Sequence, residues 1–567
     1  MKRTFLILLL HLLILSSCAP KKTHLHAVTT ATPKLEAADA RGSSYQPPVE
    51  DASAWPDMAP PADSDPSGTV KLMGGSNLYI EGYTDKKSYL PGETINFHVS
   101  TTTETYIIEI IKEQWSRPKM TKVTGIEGQY YPIPPFEQKP WANGANWPVS
   151  YQWVIPEQWE NGNYLAKFIC LGDGQYDVAY HPFIVRTRLP GSRSKIALVM
   201  NYNTRHAYNY WGGKSLYASV VPGDRHYGIK VSFLRPFKDS SGRGKSYWGS
   251  WELASQLVED GFDPEFLTEY DICSNPAILM AYDVLVLAGH HEYISRNTYD
   301  ALEAFHTRGG HIAFFSGNDI YWQVRFEDDG DTMVSYKAYA RREDPMMGVE
   351  DSLVTLLWSD PPVNRPAEAL QGVAYEPYSY CFEAEPYVVR DADHFIFEGT
   401  GVQNGDKIGH EVAASETDYI GPASPPLMDV LMTARREKLT PSYKYSGYVK
   451  VDHVNAASVY YKDSPEYGYP DGKGGQIFSA GSEVGWGDSI GNWSPGYETM
   501  RKITRNILRH MVDAPRPKAD YQDLATATSH WLGQCDSPGW CQYADINMDG
   551  VVNIADFAYL AEDWSRE

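Results

Sequence analysis

The stretch GHHEYISRNTYDALEAFHTRGGHIAFFSGNDIYW, residues 289–322, sets the fold of the chain around it. It follows the apolar run DVLVLAG and divides into two polar, aromatic clusters separated by an amphipathic segment. The spacing predicts a helix from near Ser295, with Ala301, Leu302 and Phe305 facing inward and Gly309 and Gly310 ending it. HIAFFSG reads as the next strand. Strand, crossover helix and second strand imply parallel pairing with a right-handed connection, hence an open α/β sheet.

The same alternation extends outward over residues 195–513. KIALVMNYN reads as a buried strand, and SWELASQLVEDG as a helix capped by Ser250, with Leu253, Leu257 and Val258 on one face and Gly261 as its stop. GGQIFSAGSEVGW reads as a late strand returning to the sheet, and SPGYETMRKITRNILRHMV as the closing helix. Residues 325–470 form a longer mixed segment. Upstream, 69–190 turns to short alternating runs. In SNLYIEGYTDKKSYLPGETINFHVST a turn at Pro91 and Gly92 separates two strands, the second with Ile95, Phe97 and Val99 on one face. Regular strands with turn punctuation predict an antiparallel β-sandwich.

The chain begins MKRTFLILLLHLLILSSC, a basic start and an apolar run ending at Cys18. This resembles a bacterial lipoprotein signal over 1–18, with Cys18 as the lipidated residue. Residues 19–68, rich in Ala, Pro, Asp, Ser and Thr, read as a disordered tether. The expected location is therefore extracytoplasmic, held to the membrane by lipid alone. A net charge of −22 argues against nucleic acid as a partner. Of the six cysteines, Cys170, Cys273 and Cys381 read as small buried hydrophobes, while Cys535 and Cys541 are placed to form a disulfide outside the cytoplasm.

Residues 519–567 read as a small α module. In DINMDGVVNIADF, Asp545, Asn547, Asp549, Asn553 and Asp556 stand at loop positions 1, 3, 5, 9 and 12, Gly550 supplies the sharp turn at position 6 and Val551 a backbone carbonyl. That is the EF-hand logic of oxygen ligands for calcium, with Asp in place of the usual Glu at the last position. The module resembles a dockerin, which implies a cohesin-like or cell-surface partner. Its first repeat, DAPRPKADYQDL, lacks an intact acidic loop, so one calcium is expected.

Ligands of open α/β sheets sit where the chain leaves the carboxyl ends of the strands. Three such exits are visible: NYNTRHAYNYWGGKSLY; His290, His291, Glu292 and Tyr293; and Asn318, Asp319 and Tyr321. The stretch holds no Cys, and Ser316 lacks a nucleophile-elbow context. AYNYWGGKSLY, GHHEY, GNDIYW and FSAGSEVGW are similar to motifs of the C-terminal domain in the family of N,N-dimethylformamidase large subunits. YTDKKSYLPGETINFHVST resembles the segment preceding that domain in the same family. The resemblance spans roughly 75–510 and implies a glutamine-amidotransferase-like sheet without the usual Cys nucleophile. It also implies a mononuclear iron held by two Tyr and one Glu, hydrolysing a small amide; the tether and the calcium module point instead to an amide-bearing polymer as target.

Phenolate and carboxylate are hard oxygen donors suited to ferric iron. Tyr293 and Tyr321 are the natural phenolates. Glu376 is the favoured carboxylate, with Glu411 and Glu483 as alternatives. His290, His291 and Glu292 are the candidate proton-handling residues. Each has a structural alternative: a Tyr after a strand serves as readily in packing, and a His as a loop anchor. A non-catalytic surface protein binding glycans through its aromatic crevice is the competing reading.

Overall fold

The computed structural model describes residues 78–565, apart from 117, 173, 239–246, 377–378, 380–382, 438–452 and 484. The expected signal with Cys18, the tether and Cys381 lie outside the described residues. The described chain is β-rich, with several sheets and interspersed helices, and none of these sheets closes into a barrel.

Residues 78–185 build two sheets. One contains β1 (Ile80–Thr84), β3 (Thr94–Thr101) and β6 (Tyr151–Val154), in the order β1-β3-β6. The other contains β2 (Ser88–Tyr89), β4 (Thr105–Lys112), β5 (Lys119–Glu127), β7 (Gly162–Gly172) and β8 (Gln175–Val185), in the order β2-β8-β7-β4-β5. Alternate residues of a strand face opposite sides. Ile95, Phe97 and Val99 accordingly share one buried core with Ile108, Ile110, Ala166 and Phe168 of the second sheet.

The sheet that positions the site has nine strands. Its parallel part comprises β9 (Ile196–Met200), β11 (Glu265–Thr268), β12 (Val284–Gly289), β14 (His311–Ser316) and β23 (Gln476–Ser479). Its antiparallel part comprises β18 (Glu385–Val389), β19 (Lys407–Ala413), β21 (Asp429–Glu437) and β22 (His453–Lys462). The order is β11-β9-β12-β14-β23-β22-β21-β18-β19. Both faces of β9 are covered: Leu198 and Met200 join one core, Ala197 and Val199 the other. That is why these strands read as unbroken apolar runs.

Between β12 and β14 the helix Arg296–Thr307 is capped by the Ser295 hydroxyl, which accepts the Thr298 N–H, and it buries Ala301, Leu302 and Phe305. The helix read as capped by Ser250 differs from expectation. It runs Tyr247–Glu259, so Ser250 lies inside it, fully buried with its hydroxyl 3.3 Å from the Asn201 side chain. Gly261, at φ 81, follows its end. Ser250 is therefore a packing residue; a helix-interior Ser looks the same as a cap in sequence when apolar positions begin only after it.

A four-stranded sheet, β10-β16-β15-β13, flanks the strand exits. It contains β10 (Lys230–Ser232), β13 (Tyr293–Ser295), β15 (Trp322–Glu327) and β16 (Thr332–Val334). β17 (Ala374–Tyr375) and β20 (Asp418–Tyr419) pair separately. At the C-terminus, helices Tyr521–Ser529 and Ile554–Trp564 flank a Cys535–Cys541 disulfide. This segment packs on the helix Arg296–Thr307, where the Trp540 indole N–H donates to Asp300 at 2.8 Å, and the buried Arg516–Asp563 ion pair lies by the Met280 and Tyr282 carbonyls. The disulfide closes a short loop, so Cys535→Ser is expected to cost about 2 kcal/mol, read as a lowered denaturant midpoint in the non-reduced protein.

Burial, aided by the Arg205 charge, pushes the His181 imidazole down to about 3, and burial pushes His306 down to about 4. Unfolded, both titrate near 6.5. Below that pH the unfolded chain binds more protons, so stability is fully present above pH ~6.5 and falls as pH drops toward ~4. Denaturant unfolding across this window is expected to lose about 1.4 kcal/mol per pH unit for each such histidine, and His306→Gln to make the slope shallower.

Candidate functional site

The register of the parallel strands gathers the exits. Gly289 stands opposite Ser316, Ala288 opposite Met200, and Phe314 opposite Ser479. The chain therefore leaves β9, β12, β14 and β23 at one level. Gly317 permits the closest approach: a Cβ there would lie 2.6 Å from the Glu483 backbone nitrogen. Nearby loops hold non-glycine residues in the left-handed region, at Asn318 (φ 48), Ile320 (φ 54), Lys337 (φ 52) and Ser415 (φ 53). Such strain persists where surrounding contacts over-determine a functional geometry.

His290 is fully buried at the centre. Its Nδ1 lies 2.9 Å from the Gly317 carbonyl, which can only accept, so Nδ1 carries the hydrogen. Nε2 then faces Glu292 Oε2 and Glu416 Oε2, each at 3.2 Å, without an in-line hydrogen bond to either. Donor atoms of His290, Glu416 and Glu483 lie within 4.8 Å of one another. A bare lone pair between two carboxylates would be repelled, so the arrangement calls for a positive charge at Nε2, a proton or a metal ion. Burial alone would lower the His290 pKa; the facing carboxylates Glu483, Glu292 and Glu416 overcome it and hold the imidazole well above its ordinary value. Burial likewise works to raise Glu292, but His290 and Lys337 bring it below the usual carboxylate range.

Each carboxylate is held from behind. Glu292 accepts from Tyr208 Oη at 3.0 Å and from Tyr217 Oη. Glu416 accepts from Asn318 Nδ2 at 2.8 Å, and Glu483 from the Ser415 hydroxyl. Tyr293, which follows Glu292 into β13, is fully buried and its oxygen accepts from Lys337 Nζ at 2.9 Å. Burial, then the Glu292 charge, raises its pKa well above the ordinary tyrosine value. Glu292 also accepts the Tyr321 N–H through its backbone carbonyl at 3.1 Å. The Tyr321 ring meets Tyr375 edge-on at 5.3 Å, and Tyr375 feels Glu416 and Glu292. Tyr208, Tyr217, Tyr321 and Tyr375 are partly exposed and border the cluster.

Other candidates lie elsewhere. His291, next along the chain, turns the other way, with Nδ1 3.1 Å from Glu269 and its N–H on Asp319 at 2.7 Å. Glu376 is half-buried after β17, its N–H donating to the Thr417 carbonyl and its carboxyl near the Asn455 backbone. Glu411 is exposed on β19. Glu416, Tyr208, Tyr217, Tyr375 and Lys337 were not singled out from sequence. Tyr208 and Tyr217 do sit in the AYNYWGGKSLY motif, whereas Glu416, in AASETDY, looks like an ordinary polar turn.

A buried imidazole–carboxylate cluster thus lies at the exits of parallel strands, where ligands of open α/β sheets sit. Residues 108–498 match the family N,N-dimethylformamidase beta subunit-like, C-terminal, and the chain belongs to it. The N,N-dimethylformamidase beta subunit of Paracoccus aminophilus is 23% identical over 353 residues, covering 54% of this chain and 43% of that protein. The N,N-dimethylformamidase beta subunit of Alcaligenes sp is 23% identical over 335 residues, covering 51% and 41%. The chain thus spans about two fifths of the length of these curated relatives. A solved family 123 glycoside hydrolase from Clostridium perfringens overlaps at 10% identity with a TM-score of 0.09, over 44% of this chain and 47% of that one, too little to bear on fold or function.

Proposed function

We propose that this chain is a hydrolase of carbon–nitrogen amide bonds, and that the cluster of His290, Glu292, Glu416 and Glu483 is its working centre. The observation that carries the reading is His290 Nε2 poised between two buried carboxylates inside the family-matched segment. Amide cleavage needs a proton taken from water and a proton given to the leaving amine. The carboxylates of Glu292 and Glu416 are the acceptors in reach, and His290 Nε2 is the atom that holds and returns a proton. Tyr208 and Tyr217 orient Glu292, and Asn318 orients Glu416.

Two phenols and a carboxylate suit an iron ion: Tyr293 and Tyr321 with Glu416 in the role first assigned to Glu376 are the proposed ligands, and Tyr208 and Tyr217, whose hydroxyls meet Glu292, form a second set of the same type. Tyr293 and Tyr375 both feel the charges of Glu292 and Glu416, Tyr321 meets Tyr375 edge-on, and His290 Nε2 lacks an in-line partner. Bound there, the ion would polarise the amide carbonyl and acidify water. His290 and Glu292 serve the proton in either case. The parallel half of the nine-stranded sheet supports a glutamine-amidotransferase-like arrangement, and the shared core of the two N-terminal sheets supports a β-sandwich.

The substrate class is a small amide or an amide carried on a polymer. A lipid anchor at Cys18 and an extracytoplasmic location belong to the same reading, and no described helix is long and apolar enough to cross a membrane. The C-terminal module is read as dockerin-like with one calcium. Its support is the turn at Gly550 (φ 95), with Asp549 bonded to Asn547 at 2.9 Å and to Asn553 at 3.1 Å, and Asn553 to the Val551 carbonyl at 3.0 Å. Asp545 and Asp556 cap backbone N–H groups of the same loop. The decisive assay follows amine release from a panel of N-alkyl formamides, acetamides and acetylated amino sugars by iron-replete protein. Turnover of any of them that requires Glu416 supports the reading; iron-bound protein inert toward the whole panel contradicts it.

A further inference from the structure

Lys337 lies outside every motif quoted above, yet it is 6% exposed and its ammonium sits against the site. Its backbone adopts a left-handed φ of 52, pinned by its N–H donating to the Thr355 carbonyl at 2.9 Å. That turn sends the side chain inward. Nζ donates to Tyr293 Oη at 2.9 Å and to the Leu216 carbonyl at 3.1 Å. It also lies 3.4 Å from the Tyr217 ring centroid and 4.9 Å from that of Trp322. An ammonium has three hydrogens and accepts nothing. Two are committed to Tyr293 and Leu216, and the charge rests on the face of Tyr217.

Burying an ammonium costs several kcal/mol unless opposite charge offsets it. Burial lowers the Lys337 pKa to about 7, with the charges of Glu292 and Glu416 working against that fall. The lysine is linked to Glu292 through Tyr217, whose hydroxyl bonds that carboxylate, and directly to Tyr293, the residue that follows Glu292.

We propose that Lys337 is a positioning residue of the site, fixing the Tyr217 ring that aims Glu292 and holding the Tyr293 oxygen with a hydrogen bond. The spectroscopic part of its test rests on the tyrosinate–iron reading above; the structural part does not. A donor on a phenolate oxygen withdraws electron density, so losing it makes the phenolate a better electron donor and moves a tyrosinate-to-iron band to longer wavelength.

Lys337→Met keeps the volume and removes both charge and donor. In its crystal structure, prepared metal-free beside the wild type, the Tyr217 hydroxyl is expected to leave Glu292. With iron bound, the band is expected to move to longer wavelength at unchanged iron content. On an amide that the wild type turns over, kcat is expected to fall roughly 10–100-fold with KM within about twofold, the size of effect that a misplaced group produces. Lys337→Arg keeps the charge but cannot put a single donor at the same point, so it is expected to fold and to show the same displacement and shift. Tyr217 and Tyr293 unmoved in the Lys337→Met crystal overturn the proposal whether or not iron binds; if Lys337→Met does not fold, full recovery of wild-type geometry by Lys337→Arg overturns it. A colourless wild type with displaced tyrosines in the variant sinks the iron reading and leaves Lys337 as the positioning residue.

Discussion

Replacing His290 by Gln is expected to cost about 3–5 kcal/mol of stability in metal-free protein, the usual result of removing one partner from a buried charge cluster. His290 is the imidazole that faces Glu292, Glu416 and Glu483, and all four side chains are buried or nearly so. Gln fills much of the same space and can donate a hydrogen bond, but it brings no charge. The carboxylates then either stay ionised and repel, or take up protons at a free-energy cost. Two features mark the mechanism. The denaturant midpoint falls with unchanged slope. The deficit also shrinks at acidic pH, where the carboxylates protonate in both proteins. A loss under about 1 kcal/mol would mean that the cluster does not carry the charge assigned to it.

Glu416→Gln is expected to lower amide turnover by roughly 10²–10⁴-fold, the range associated with losing a positioned proton acceptor or a charge-stabilising group. Its effect on stability is opposite in character to that of His290→Gln. Gln keeps the shape that accepts the Asn318 side chain, and it relieves crowding among Glu292, Glu416 and Glu483. Unfolding free energy should stay within about 1 kcal/mol of wild type or rise. Glu376→Gln is the matched control. That residue sits by the Thr417 and Asn455 backbone, so its removal should leave turnover within about twofold. Equal losses from both variants would return Glu376 to the centre.

The parts legible in sequence are those set by local periodicity. Ser295, Ala301, Leu302 and Phe305 fixed one helix because capping and a 3.6-residue repeat are short-range signals. The runs at Val284–Gly289 and His311–Ser316 marked parallel strands because both faces are covered. From those two strands the exit at His290 and Glu292 follows directly. The antiparallel half of the sheet was not legible, since pairing among residues 385–462 depends on partners far along the chain. Glu416 was hidden for the same reason. Its loop is brought to His290 by contacts distant in sequence: the Glu483 N–H donates to the Glu416 carbonyl, and Asn318 donates to Glu416 and Asp418. Lys337 was invisible because a lysine reads as solvent-facing until aromatic rings are seen around it.

His290 and His291 show how far a motif can be taken. The paired histidines look equivalent in GHHEY, but successive residues of an extended chain face opposite ways. One meets Glu292 and Glu416; the other meets Glu269, whose carboxylate also takes the Tyr202 N–H at the start of a helix. The motif located the site, and backbone geometry chose between its members.

The most direct test of the proposed metal-assisted amide hydrolase is metal analysis with visible spectroscopy on full-length protein produced under iron-replete conditions. The account expects about one iron per chain at the site, with a tyrosinate-to-iron band that is lost in Tyr293→Phe, Tyr321→Phe and Glu416→Gln but kept in Glu376→Gln. Colourless, iron-free protein, or a band indifferent to all three substitutions, would contradict it.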